Sequence, residues 1–295
     1  RIGRGVKMKI GVVQHNPTVG DLEGNLKKII FAIEKSKQNK LDLVIFPELA
    51  LTGYPPKDLL FRKDFINSCK KAVERLFSHT KGIGVLLGLP TPIEDSSYLH
   101  NSAVLIEDGK IVGQVDKGLL SNYDVFGEWR YFKPAKELEC IKFRGMNLAV
   151  SIGEDIVEEL FEKQPDIFIN ISASPYYWGK QGLRMEVLTR IVNKYRIPSI
   201  YANQAGGNDE LVFDGTSMIF DSNGHLIIQA KSFEEDFIIF DTEKNYNAVE
   251  MVYEDISWIY NALVLGTRDY IHKTGFTKAL VGMSGGIDSS LVTCI

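Results

Sequence analysis

Cysteine is scarce in this chain: three in 295 residues, at 69, 140 and 294. Spaced that widely, they offer neither a disulfide framework nor a metal-binding cluster. The five histidines are scattered singly, so no metal site is expected. Excess positive charge is also missing. A net charge of −4 gives no electrostatic case for nucleic acid or an anionic membrane as partner. No apolar run approaches the roughly 18 residues of a membrane span, and no signal peptide is visible, so a cytoplasmic location is expected. Residues 1–7 precede Met8, which looks like a natural start, and read as an upstream extension or a cloning remnant.

What is present is an ordinary globular composition, 44% hydrophobic and 24% charged, with length for one large α/β domain or two smaller ones. Short β-rich runs alternate with amphipathic stretches. Strands are predicted over 9–14, 43–46, 84–89, 102–106, 111–115, 148–152, 167–171 and 199–202. Helices are predicted over 21–36, where Leu26, Ile29, Ile30 and Ile33 recur at helical spacing, and over 61–77. Asp108-Gly109 and residues 222–224 are hairpin signals. This mixture implies sheets with helices on their outer faces, and periodicity alone does not choose between one sheet and two. A polar linker and a long helical run follow Asp241, placing a domain boundary near 245: a first domain over 8–245 and a second unit over 246–295.

The last segment carries the sharpest motif. An apolar run, 279–283, reads as a buried strand; Ser284, Gly285 and Gly286 form a loop; after Ile287, the residues Asp288, Ser289 and Ser290 are good openers for a helix. Glycines let backbone approach a bound group, and free amides at a helix start attract an anion, so the loop suits phosphate or pyrophosphate. No Lys follows the glycines, which excludes the G-x-x-x-x-G-K-[ST] loop. Ser-Gly-Gly-x-Asp-Ser instead resembles the pyrophosphatase-type loop of ATP-dependent amide-forming and thiolating enzymes.

Further segments match a second pattern. Phe46-Pro47-Glu48-Leu49 with Thr52-Gly53-Tyr54, then Lys117 with Tyr123, Glu128 and Arg130-Tyr131-Phe132, and Glu154-Asp155 resemble the carbon-nitrogen hydrolase (nitrilase) superfamily. Joined to Ser174-Pro175, Lys180, Arg184, the 206–215 run and the terminal loop, the chain resembles the glutamine-dependent NAD synthetase family. The resemblance implies a four-layer α-β-β-α sandwich followed by the first strand and loop of a parallel-sheet ATP-binding domain. It implies a ligase that amidates deamido-NAD to NAD with ATP and Mg, using ammonia that the N-terminal domain takes from glutamine. It also implies a homo-oligomer. Glu48 and Lys117 match the family's general base and oxyanion-stabilising lysine. Tyr123, Glu128, Val157, Ser174 and Lys180 match its glutamine contacts, and 284–289 its ATP contacts. A carboxylate among apolar neighbours such as Phe46 and Leu49 should have a raised pKa, fit for base work.

Two positions depart. Gly153 stands where that family's pattern has the nucleophilic Cys, and Val157 where it has an aromatic. Glycine has no side chain to attack with, so glutaminase activity should collapse, by roughly 10⁶ on the analogy of a serine enzyme. Inherited degeneration and a deliberate change both remain open. A second reading keeps the domain as a non-catalytic scaffold that assembles or regulates an ammonia-dependent synthetase. A stand-alone hydrolase of another amide or nitrile fits poorly, because it has no use for a pyrophosphate loop.

Overall fold

The computed structural model describes residues 7–122, 126–135, 140–155 and 165–295. Two six-stranded sheets pack face to face. The first has the order β14-β1-β2-β3-β4-β5, built from β1 (Lys9–Gln14), β2 (Leu43–Ile45), β3 (Gly84–Pro92), β4 (Leu99–Glu107), β5 (Lys110–Asp116) and β14 (Asp236–Asp241). β1, β2 and β3 are mutually parallel; β14 pairs antiparallel with β1, β4 with β3, and β5 with β4. The second sheet has the order β13-β12-β9-β8-β7-β6. Its strands are β6 (Ile141–Phe143), β7 (Met146–Ile152), β8 (Ile167–Ser172), β9 (Ser199–Asn203), β12 (Met218–Phe220) and β13 (Leu226–Gln229), with β7, β8 and β9 parallel.

Alternation along each strand sorts the side chains into three layers. Ile10, Val12, Ile45, Leu86 and Leu105 of one sheet meet Leu148, Val150, Ile169 and Ile200 of the other in the central core. On the outer face of the first sheet, Leu26, Ile29 and Ile33 of α1 (Leu22–Gln38) and Val73 and Leu76 of α2 (Lys63–Leu76) cover Val44, Val85 and Leu87. Leu188, Ile191 and Val192 of α3 (Lys180–Tyr195) cover Phe168, Tyr201 and Phe220 of the second. The choice between one sheet and two is thus settled as two, in an α-β-β-α sandwich. Asp21 caps α1 by accepting a bond from Gly24 N at 2.9 Å.

A two-stranded ribbon, β10 (Ala205–Asn208) with β11 (Leu211–Asp214), stands outside both sheets and carries α4 (Ile256–Lys273). A Cβ on Gly207 would come within 3.0 Å of Gly266 Cα, so helix and ribbon touch backbone to backbone. Beyond α4 the expectation of a buried strand over 279–283 is not met. These residues have no strand partner among the described residues, and Leu280 is 96% exposed. An apolar strand of a parallel sheet forms only against neighbouring strands, and none stands beside it here. The loop and helix that follow do form, as α5 (Ile287–Cys294).

Candidate active site

Glu48, Lys117, Gly153 and Ala173 follow β2, β5, β7 and β8 and converge at one edge of the sandwich. The loop bearing Glu48 lies directly on β3. A Cβ at Gly88 would stand 2.4 Å from Pro47 O and 2.7 Å from Glu48 Cα, so only glycine admits that approach. The Glu48 carboxylate is 2% exposed yet fully partnered. Its Oε1 accepts from Lys117 Nζ at 2.8 Å and from Asn101 Nδ2 at 2.7 Å. Its Oε2 accepts from Ala173 N at 2.9 Å. Phe46 and Leu49 are buried as expected, and the oxygens themselves sit among donors.

Lys117 is equally buried. Its ammonium donates to Glu48 and, at 3.0 Å, to Glu128 Oε1. Burial works to lower its pKa, and the two carboxylates outweigh that and raise it. Glu128 also accepts from Tyr54 OH at 3.2 Å and Ser121 N at 2.8 Å. Burial, countered by Lys117, raises its pKa. Both of its oxygens are thus engaged behind Lys117. The resemblance implies a glutamine contact here, and the carboxylate's partners in the fold are Lys117, Tyr54 and Ser121.

Gly153 turns the chain sharply after β7, with φ +58° in the left-handed region. Its N donates to Ile171 O at 2.8 Å, and its carbonyl accepts from Asn170 Nδ2 at 3.1 Å. A Cβ built there would lie 2.8 Å from Lys117 Nζ and 3.1 Å from Glu48 Oε2. A side chain at 153 would therefore meet both the carboxylate and the ammonium. Asp155, two residues on, accepts from Gly118 N at 2.9 Å and from Leu119 N, tying this turn to the backbone beside Lys117. Burial pushes its carboxyl up to about 6 against those two bonds.

These groups open onto a cavity of about 390 Å³ whose walls include Glu154, Ser174, Lys180, Arg184 and the aromatics Tyr54, Phe126, Tyr176 and Tyr177. Arg184 Nη1 reaches both oxygens of buried Asp214, at 2.9 and 2.7 Å, and its Nη2 donates to Ser174 O at 2.8 Å. That pair fixes Ser174. Lys180 opens α3, and burial followed by the Arg184 charge lowers its pKa. Of the residues predicted from sequence, the fold gathers Glu48, Lys117, Gly153, Ser174 and Lys180 around one cavity. Tyr123 and Val157 lie outside the described residues. The 284–289 loop is a separate exposed feature, and none of the three cysteines lines the cavity. Asn101, Asp155 and Asp214 had no assigned role. Each makes its contact across at least 30 residues of sequence, and no local pattern announces such a bond.

The arrangement sets a buried carboxylate and a buried ammonium side by side, next to a residue that has no side chain. The carbon-nitrogen hydrolase profile matches residues 9–247. The chain belongs to the carbon-nitrogen hydrolase family. A NAD synthase profile follows over residues 259–295. The glutamine-dependent NAD(+) synthetase of Thermotoga maritima is 36% identical over 98% of this chain and 58% of its own length. That of Synechocystis is 37% identical over 97% and 56%. The structure of glutamine-dependent NAD+ synthetase from Acinetobacter baumannii in complex with ADP superposes with a TM-score of 0.88 at 33% identity, covering 98% of this chain and 56% of that one. An amidase of the nitrilase superfamily from Nesterenkonia, 20% identical with a TM-score of 0.69 over 81% of this chain and 91% of its own, shares the fold. This carbon-nitrogen hydrolase chain therefore spans just over half the length of the synthetases it matches. Among the described residues no helix is long and apolar enough to cross a membrane.

Proposed function

We propose that this chain is the glutaminase half and the opening of the synthetase half of a glutamine-dependent NAD synthetase whose glutaminase is disabled at Gly153. The observation that carries the reading is the buried Glu48–Lys117 pair at 2.8 Å, flanking a residue with no side chain. With a thiol at that residue, Glu48 would take its proton, the sulfur would attack the glutamine carboxamide, and Lys117 would stabilise the oxyanion as ammonia leaves. Here the carboxamide would meet only the base and the ammonium. Ser174 and Lys180 would hold the amino-acid end of glutamine.

In the second half, deamido-NAD would be adenylated by ATP and ammonia would displace AMP. The 284–289 loop fits a polyphosphate. Gly285 has φ +83° with open space around its α-carbon, and the Ser284 and Ser289 hydroxyls, 3.2 Å apart, sit at the start of α5. No group of three or more His, Cys, Asp or Glu that could hold a metal occurs among the described residues. Magnesium would act with the nucleotide, where it would neutralise phosphate charge.

The test is NAD formation by the full-length protein from deamido-NAD and ATP. Free ammonia should support turnover and glutamine should not. Equal rates with the two nitrogen donors would refute the disabled glutaminase, and no NAD from either would refute the synthetase reading.

A further inference from the structure

Helix α3 supplies two groups of the cavity wall, Lys180 and Arg184, yet it begins without a cap of its own. Its N-cap is Gly179, at φ +91°, which has no side chain to satisfy the first-turn amides. The missing acceptor comes from 75 residues later. Glu254 Oε2 accepts from Gly179 N at 2.6 Å, and Oε1 accepts from Gln181 N at 3.0 Å. These bonds flank Lys180, whose ammonium stands at the start of the helix near Arg184, with Glu154 and Asp214 as the nearby anions. Four residues on, Trp258 of α4 packs on Tyr176, another wall residue, with ring centroids 6.1 Å apart. Glu254 lies between the two family matches, which end at 247 and start at 259.

We propose that Glu254 is a positioning residue for the cavity: by capping α3 from the segment that leads into α4, it sets where Lys180 stands. The proposal rests on the reading of this cavity as a glutamine site. It makes the amino-acid end of that site depend on the connection to α4, while the Glu48–Lys117 end, held by the sheets, does not.

The experiment compares wild type with Glu254→Ala, Glu254→Gln and Glu254→Asp in the whole chain. Ligand-observed NMR would measure affinity for glutamine and for butyramide, which has the carboxamide but no amino-acid end. Amide hydrogen exchange would be followed at residues 179–183. Loss of a charged cap at a wall residue should weaken glutamine about tenfold in Glu254→Ala, with butyramide unchanged, and Glu254→Asp or Glu254→Gln should restore part of it. Exchange at 179–183 should rise about tenfold while α1 stays protected. Unchanged glutamine affinity in Glu254→Ala overturns the proposal, as does an equal loss for both ligands. If wild type itself binds no glutamine, the glutamine reading fails. The exchange rates then still decide whether Glu254 positions the start of α3.

Discussion

Replacing Gly153 by Cys tests the site at its centre. The cost of the change follows from the backbone. A side chain at φ +58° carries about 1–2 kcal/mol of left-handed strain. The new Cβ would start 2.8 Å from Lys117 Nζ, but that atom ends a flexible side chain and can withdraw a few tenths of an ångström at little further cost. For a chain this size such a loss lowers Tm by roughly 2–3 °C, so the variant should fold. The gain is chemical. The thiol proton would pass to Glu48 as sulfur attacks the carboxamide carbon, Glu48 would return it to the nitrogen as the C–N bond breaks and ammonia leaves, and water would then hydrolyse the thioester. Glutamine-dependent ammonia release should appear where wild type gives none, with a glutamyl adduct in the intact mass of briefly exposed protein. Gly153→Ala bears the same strain without sulfur and should release nothing. A folded Gly153→Cys protein that binds glutamine yet forms neither ammonia nor adduct would refute the assignment of Glu48 and Lys117.

Lys117→Met leaves Glu48 and Glu128 buried with no cation between them, and should cost about 3–5 kcal/mol in urea unfolding; a loss under about 1 kcal/mol would contradict the geometry. Lys273→Met removes the ammonium that donates to Pro17 O, Gly207 O and Asn208 Oδ1 at 2.8–2.9 Å. It should destabilise α4 by about 1–3 kcal/mol, seen as faster amide exchange over 256–273 with the central strands unaffected. His15, whose Nε2 lies 3.2 Å from Ala50 O, is held down to about 4 by burial and then by the Lys28 charge. The unfolded chain binds this proton more readily, so His15 contributes stability above pH 6.5 that is lost as pH falls towards 4, roughly 3 kcal/mol in all. Asp155, raised to about 6, gives a slope of opposite sign over part of that range. The readout is therefore the difference between wild type and His15→Asn, and a difference that does not change between pH 4 and 6.5 would refute it.

The eight predicted strands and the first two helices were legible because their signal is local, while β6 and β14 were not read. Leu26, Ile29 and Ile33 recur at helical spacing and all lie on the buried face of α1. The helix predicted over 61–77 appears over Lys63–Leu76, after a short turn at Lys57–Phe61. Helix α3 went unread, since its buried positions include Gln181 and Arg184, which look like surface residues in sequence. The ribbon β10–β11 went unread too. Ala205 to Asn208 is half glycine, and its burial comes from α4 above it. Glu48 and Lys117 were found by resemblance, and their contact could not have been, because 69 residues separate them.

By itself the sequence determined the layered α/β class, the family, and the lack of a thiol at 153, since each is written in periodicity, motif or residue identity. Only the folded chain decided that Glu128 stands behind Lys117, that donors surround Glu48, and that 279–283 finds no strand to pair with. Those outcomes depend on which distant groups the packing of two sheets brings within hydrogen-bond reach. Residue spacing along a chain does not encode such distances.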